Sequence, residues 1–279
     1  MGIPYGINNH SGKPDSETSF EILDLAYANG IRMLDTAESY GNSQQVIGDY
    51  HRNHSTNHFN VITKLAPNSS DGDIRMHVEK DLKELNLNKL GGYMFHSFQS
   101  FRNSHSGAET LSCLRNEGLI DKWGASVYTN DEFEFVINET DMDLVQLPFN
   151  VLDNRKQRGL LLKAASKKGM EIHVRSIFLQ GLFFMNPEQL PEKLAPLKPY
   201  VLQLNALIRE AGNTMQDVCM AYALAQPEIN KILIGVDTPI QLKHNLDSIT
   251  GSKVDAGLLQ EIGEIDVQQT ALLNPVNWK

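Results

Sequence analysis

Four polar residues ahead of position 100 could do chemistry together: Asp35, Tyr40, Lys64 and His96. Asp35 closes the apolar run IRMLD, and Tyr40 follows it in LDTAESYG. Lys64 ends VITK, and His96 ends YMFH. A carboxylate, a phenol, an amine and an imidazole in one place suit the protonation of a carbonyl oxygen while a hydride arrives at carbon. A phenol, with a pKa of about 10, gives up its proton poorly near neutrality. A nearby ammonium favours the phenolate and eases that loss. A carboxylate keeps the ammonium charged, because a buried amine without a counter-ion tends to shed its proton. The imidazole can hold a substrate oxygen by hydrogen bond. Singly, each residue also reads as a turn former, a solvated amine, a packed histidine or a packed ring. The combination on consecutive strands is what points to catalysis.

Such a set needs strands that end on one rim. Short continuous apolar runs predict strands at 32–36, 60–65, 92–97, 122–127, 144–149, 171–178 and 231–236. Helical spacing lies between them, at 17–29, 42–53, 75–86, 107–117, 129–139, 155–168, 200–211, 214–226 and 239–249. The clearest boundaries are Asn42-Ser43, Thr129-Asn130-Asp131 and Gly169. Strands without polar alternation suit a parallel sheet covered on both faces. Repeated βα units over one domain length mean a doubly wound sheet or a (β/α)8 barrel. No G-x-G-x-x-G follows any strand, which favours the barrel. The expected fold is therefore α/β, a TIM-type barrel that is incomplete, with seven clear core strands and the first missing or rudimentary. It forms one domain over residues 1–279. All strand C-termini then share one face, where active sites of such barrels sit.

Composition sets the bounds. The 279 residues are 41% hydrophobic and 21% charged, as expected of a globular chain with a large core. A net charge of -9 speaks against nucleic acid and anionic membranes as partners. The N-terminus lacks the basic head and apolar stretch of a signal peptide, and no run reaches membrane-spanning length. Cys113 and Cys219 lie in helix-like apolar patterns and read as reduced core thiols of a cytoplasmic protein. His51, His54 and His58 are close together in HRNHSTNH, but the stretch is polar and reads as a solvated loop rather than a metal site. The proline-rich 183–199 reads as a long rim loop, and AGLLQEIGEID as an amphipathic segment of the tail.

LDTAESYG, ITK and MFHS resemble the signature blocks of the aldo-keto reductases, which are (β/α)8 barrels using a nicotinamide cofactor. GASVYT, VQLPFN, VRSIFLQGL and ILIGVDTPIQLKHNL resemble later blocks of that family. The resemblance implies an NAD(P)H-dependent oxidoreductase that reduces a small aldehyde or ketone. Asp35, Tyr40, Lys64 and His96 would be its catalytic set, with Tyr40 the general acid. Ser126 and Gln146 would hold the nicotinamide amide. Arg175 falls where many members place an aromatic ring, and its planar guanidinium can also stack. Ser176, Phe178 and Gln180 would cover the pyrophosphate. Gly235, Val236, Gln241 and Asn245 would bind the adenosine end. Family usage puts NADP(H) ahead of NAD(H). The absence of Lys or Arg at 235 and 241, with Asp237 nearby, keeps NAD(H) open.

In similar proteins a strand with a Gly-Thr block precedes a segment like PYGINNHSGKP. No clear strand precedes residue 17 here. The expectation is an open seven-stranded sheet, patched by residues 2–7 or by a second chain, with weakened cofactor binding. The chain would be a monomer or weak homo-oligomer. Two other readings stand beside the reductase. One is a catalytically weak or inactive nucleotide-binding barrel acting as a sensor or partner. The other is a barrel enzyme of phosphorylated sugars, for which LQGL and IGVD are poor phosphate cups. Phe98, Phe101, Phe183 and Phe184 either wall a substrate pocket or pack internally.

Overall fold

The structure, a computed structural model, describes residues 7, 12–67, 69, 71–251 and 253–278. Seven strands, all parallel in their observed pairings, follow one another in the sheet order β1 to β7, so the fold is α/β with the strand succession of an incomplete (β/α)8 barrel. The chain divides into two compact units.

The first unit holds Ser11–Gln146 and Val236–Leu242. Its elements run α1 (Ser16–Ala28), β1 (Met33–Asp35), α2 (Ser43–Asn53), β2 (Asn60–Leu65), α3 (Ile74–Leu85), β3 (Gly92–Phe95), α4 (Phe98–Asn103), α5 (Gly107–Asn116), β4 (Trp123–Ser126) and α6 (Asn130–Glu139), and it includes the start of β5 (Leu144–Pro148). Lys64 lies opposite Met94 in the β2–β3 register, Met94 opposite Gly124 in β3–β4, and Ser126 opposite Gln146 in β4–β5. Ile62, Met94 and Leu144 pack as one buried cluster, with Met33 against it. Side chains alternate across a strand, so the residue two places on shares the face. Those residues are Lys64, His96, Gln146 and Asp35. An apolar layer thus lies directly beneath the polar one.

Local chemistry explains the boundaries. Thr129 and Glu132 form a reciprocal capping box that starts α6. Asn86 takes a left-handed conformation at φ 55° and ends α3. Residues 98–103, outside the helical spacings of the sequence, form α4, because Ser97 and Ser100 cap each other across its first turn. The signal was present in SFQS, but its N3 residue is Ser rather than Glu or Gln. Cys113 is exposed, contrary to the core reading, because α5 turns Leu111 and Leu114 inward and leaves 113 outside their stripe.

The second unit holds Leu147–Gly235 and Lys243–Lys279. It contains α7 (Arg155–Lys167), β6 (Glu171–Arg175), α8 (Lys198–Glu210), α9 (Met215–Leu224), β7 (Lys231–Ile232), most of α10 (Pro239–Gly251) and α11 (Ala256–Gly263). Gly169 closes α7 at φ 82°, as its position predicts. β6 stops at Arg175 because Ser176 turns to φ 61°. β7 keeps two ladder residues, though Leu233 N–H still bonds Val174 O at 2.7 Å. The stretch after β6 carries short 3-10 segments at Leu179–Phe184, which is broken at Gln180 and Gly181, and at Pro187–Gln189 and Glu192–Leu197. Of the segment expected to patch a first strand, residues 2–6 lie outside the described residues, and Ile7 N–H bonds Gln180 O at 3.0 Å. Among the described residues no helix is long and apolar enough to cross a membrane.

Candidate active site

The first unit brings Asp35, Tyr40, Lys64 and His96 together. Lys64 is 1% exposed, and its ammonium donates to Asp35 Oδ1 in a short ion pair and to Thr36 O at 3.0 Å. Charge of this kind is held inside only when paired and hydrogen-bonded, and both conditions are met. The Lys64 nitrogen stands 5.2 Å from the centroid of the Tyr40 ring. The His96 ring meets that ring edge-on, with centroids 5.7 Å apart. Ser39 Oγ lies 3.4 Å from His96 Nδ1.

Ser126 and Gln146 stand side by side in the β4–β5 register, 3% and 1% exposed. Gln146 Nε2 donates to Asp35 Oδ2 at 2.8 Å, so both carboxylate oxygens are engaged. A buried hydroxyl and a buried amide on the layer that carries the tetrad fit a carboxamide, which needs both a donor and an acceptor. Val236 is half-buried, and exposed Gln241 accepts from Asp237 N–H at 2.7 Å. Burial raises the Asp237 carboxyl.

In the second unit, Arg175 ends β6, and Ser176, Leu179 and Gln180 take positive φ values of 61°, 44° and 54°. Consecutive turns of this kind can point backbone N–H groups to one side, a geometry suited to anions. Ser176 is 7% exposed, and its carbonyl accepts from Asn150 Nδ2 at 3.2 Å. Phe178 is half-buried and packs on Phe184, with centroids 5.4 Å apart. Asn245 is buried and accepts from Gln216 at 2.9 Å, while Gly235 is exposed.

Behind the tetrad, on the helix-facing side of the same sheet, is a group that sequence reasoning missed. Glu38 accepts from the Tyr93 hydroxyl at 2.8 Å and faces His77 Nδ1 at 2.9 Å. Asp81, wholly buried on α3, belongs to the same group. Burial, and then the charge of Glu38, push its carboxyl up to about 7. Burial and the two carboxylates also raise the Tyr93 phenol. One signal was available: Asp81 falls on the helical stripe of Ile74, Val78, Leu82 and Leu85, where an acid is out of pattern.

Other expectations shift. His51 is no solvated residue: Nδ1 bonds Leu85 O at 2.8 Å, and Nε2 accepts from Phe59 N–H at 3.1 Å. Phe98 and Phe101 pack on Phe135 and Phe95, with centroids 5.4 and 5.5 Å apart. Phe183 is buried, and Phe184 is 47% exposed.

The profile of the aldo/keto reductase family matches residues 4–266. The chain is 24% identical to the NADH-specific methylglyoxal reductase of Escherichia coli, over 91% of this chain and 90% of that one. It is 21% identical to the D-threo-aldose 1-dehydrogenase of a Pseudomonas species, over 89% and 88%. Its structure is similar to that of an aldo-keto reductase from Bacillus halodurans in its holo form, with a TM-score of 0.73 at 19% identity, covering 97% of this chain and 99% of that one.

Proposed function

Because the chain belongs to the aldo/keto reductase family, an oxidoreductase family, we propose that it reduces a small aldehyde or ketone to the alcohol, with Tyr40 as general acid. The observation that carries this reading is the buried Lys64 ammonium, fixed by Asp35 and Thr36 O beside the Tyr40 ring. A nicotinamide dinucleotide, when bound, would supply the hydride. Tyr40 gives its hydroxyl proton to the carbonyl oxygen. Lys64 stabilises the phenolate left behind, at a cost already met by its pairing with Asp35. His96 orients the carbonyl oxygen by hydrogen bond. When the dinucleotide is bound, Ser126 and Gln146 would hold its carboxamide, Arg175 would face the nicotinamide, and Ser176, Phe178 and Gln180 would hold the pyrophosphate. Gly235, Val236, Gln241 and Asn245 serve the adenosine end.

Family usage puts NADPH first. Two points argue for NADH, and we adopt it: Asp237 would oppose a 2′-phosphate, and the E. coli relative is named as NADH-specific. The test is oxidation of NADH and NADPH with a panel of small aldehydes and ketones, beside Tyr40→Phe. The expected result is turnover that falls ~100- to 10,000-fold in the variant, with dinucleotide binding kept. Tight dinucleotide binding without turnover by the unaltered chain would replace this reading with that of a nucleotide sensor.

A further inference from the structure

The polar group behind the tetrad has no part in the chemistry above, and Asp81 is poorly accommodated there. Its side chain is 0% exposed, and neither oxygen receives a hydrogen bond among the described residues. Two donors, Gln44 and Tyr93, lie close enough to ease its ionisation somewhat, but the hydrogen bonds they make go to other acceptors. Gln44 Nε2 donates to Thr63 Oγ1 at 2.9 Å, and the Tyr93 hydroxyl donates to Glu38 at 2.8 Å. The groups acting on Asp81 are Glu38 after β1, Gln44 on α2, Tyr93 on β3 and Glu84 on α3 itself. No cation is among them, and His77, one turn before Asp81 on α3, is taken by Glu38.

We propose that Asp81 is a positioning residue for Tyr40: protonated, it donates to the Tyr93 oxygen and leaves the single Tyr93 hydrogen to Glu38, whereas ionised it competes with Glu38 for that hydrogen. A phenol hydroxyl donates once and can accept as well, so the protonated arrangement gives Tyr93 both a donor and an acceptor role and engages one of the two Asp81 oxygens. Burial and the neighbouring carboxylates favour that form. Glu38 precedes Tyr40 in the same tight turn. Its N–H bonds Lys64 O at 3.2 Å, and Tyr40 N–H bonds Ala37 O at 3.0 Å. Losing the Tyr93 hydrogen leaves the Glu38 side chain held by His77 alone, which loosens the turn that aims the Tyr40 hydroxyl. The inference rests on the reading of Tyr40 as proton donor, so its test has a second arm that does not.

The first arm compares kcat of the unaltered chain and Asp81→Asn between about pH 5.5 and about pH 9, with saturating dinucleotide and one carbonyl substrate. Groups titrating in both proteins cancel in the ratio. The variant-to-parent kcat ratio should rise roughly threefold or more from about pH 6 to about pH 8.5, with the KM ratio unchanged. A merely structural role would shift the kcat ratio equally at every pH, and a flat ratio overturns the proposal. The second arm follows thermal unfolding of Tyr40→Phe and of Tyr40→Phe/Asp81→Asn. A carboxyl whose folded-state pKa is raised withdraws stability as pH climbs from its unfolded value, about 3.9, to its folded one. The Asn protein should therefore gain in Tm over its parent across that window and hold a constant lead above it; parallel curves overturn the proposal. Turnover surviving Tyr40→Phe, or absent from the unaltered chain, sinks the reductase reading and leaves the unfolding arm to decide on Asp81. If Asp81→Asn fails to fold, infrared spectra of the unaltered chain decide instead: a protonated-carboxyl band at about pH 6 supports the proposal, and its absence overturns it.

Discussion

Gln146 Nε2 donates to Asp35 Oδ2 at 2.8 Å across 111 residues of sequence. The other oxygen of that carboxylate holds Lys64. A residue assigned by resemblance to the cofactor amide thus also fixes the acid that fixes the lysine. Gln146→Leu leaves a charged acceptor short of a donor, at a cost of ~1–3 kcal/mol. Calorimetry should show a lower Tm without any dinucleotide present. An unchanged Tm would confine Gln146 to cofactor binding.

Lys64→Met removes one partner of a buried ion pair and strands Asp35. Urea unfolding should register a loss of about 3–5 kcal/mol. Adding Asp35→Asn removes the stranded charge and should recover part of that loss. Turnover should stay abolished in both variants. Full additivity of the two substitutions would mean that the pair is not coupled.

Gly124 on β4 has no room for a side chain: a Cβ there would lie 1.9 Å from Leu144 O on β5. Backbone cannot yield as a flexible side chain does, so Gly124→Ala should destabilise by ~1–3 kcal/mol or more. Gly72→Ala is the control, since its Cβ would meet nothing within 4 Å. Equal denaturant midpoints for the two variants would contradict this packing.

Asn154 is 0% exposed, and its amide donates to Ile262 O at 3.0 Å and Ile265 O at 2.9 Å while its oxygen caps α7 through Lys156 N–H. Asn154→Ala orphans two carbonyls and a cap, an expected loss of ~2–4 kcal/mol. Proteolysis beyond residue 255 should quicken in the variant. Cleavage at the parental rate would show that α11 is held by other means.

Cys113 is exposed and Cys219 buried, with burial pushing the Cys219 thiol up. A thiol reagent should modify a single cysteine of the native chain, and Cys113→Ser should abolish that reaction. Two equally fast thiols would contradict the placement of α9.

Residue order alone was enough to identify the strands and the four groups at their ends. The run NVITKL reads as a strand because it is apolar and β-branched, and it is one from Asn60 to Leu65. Strand parity carries the argument to the site, since Met33, Ile62, Met94 and Leu144 each lie two residues before a polar group on the same face. The family blocks extend the reading, with the profile matching over 4–266.

Other features depend on partners that one-dimensional spacing does not bring together. Nothing in HRNHSTNH shows that His51 will bridge Leu85 O and Phe59 N–H, because the first bond exists only once α2 packs on α3 and the second only once the chain turns back into β2. Helical phase could mark Asp81 as out of place, but not that Tyr93 and Glu38 come from two other elements to meet it. Periodicity and end signals are local, so sequence determined which side chains lie on which face and where strands stop. Hydrogen-bond partnership and burial depend on register and helix packing, which arise only when distant segments close on one another.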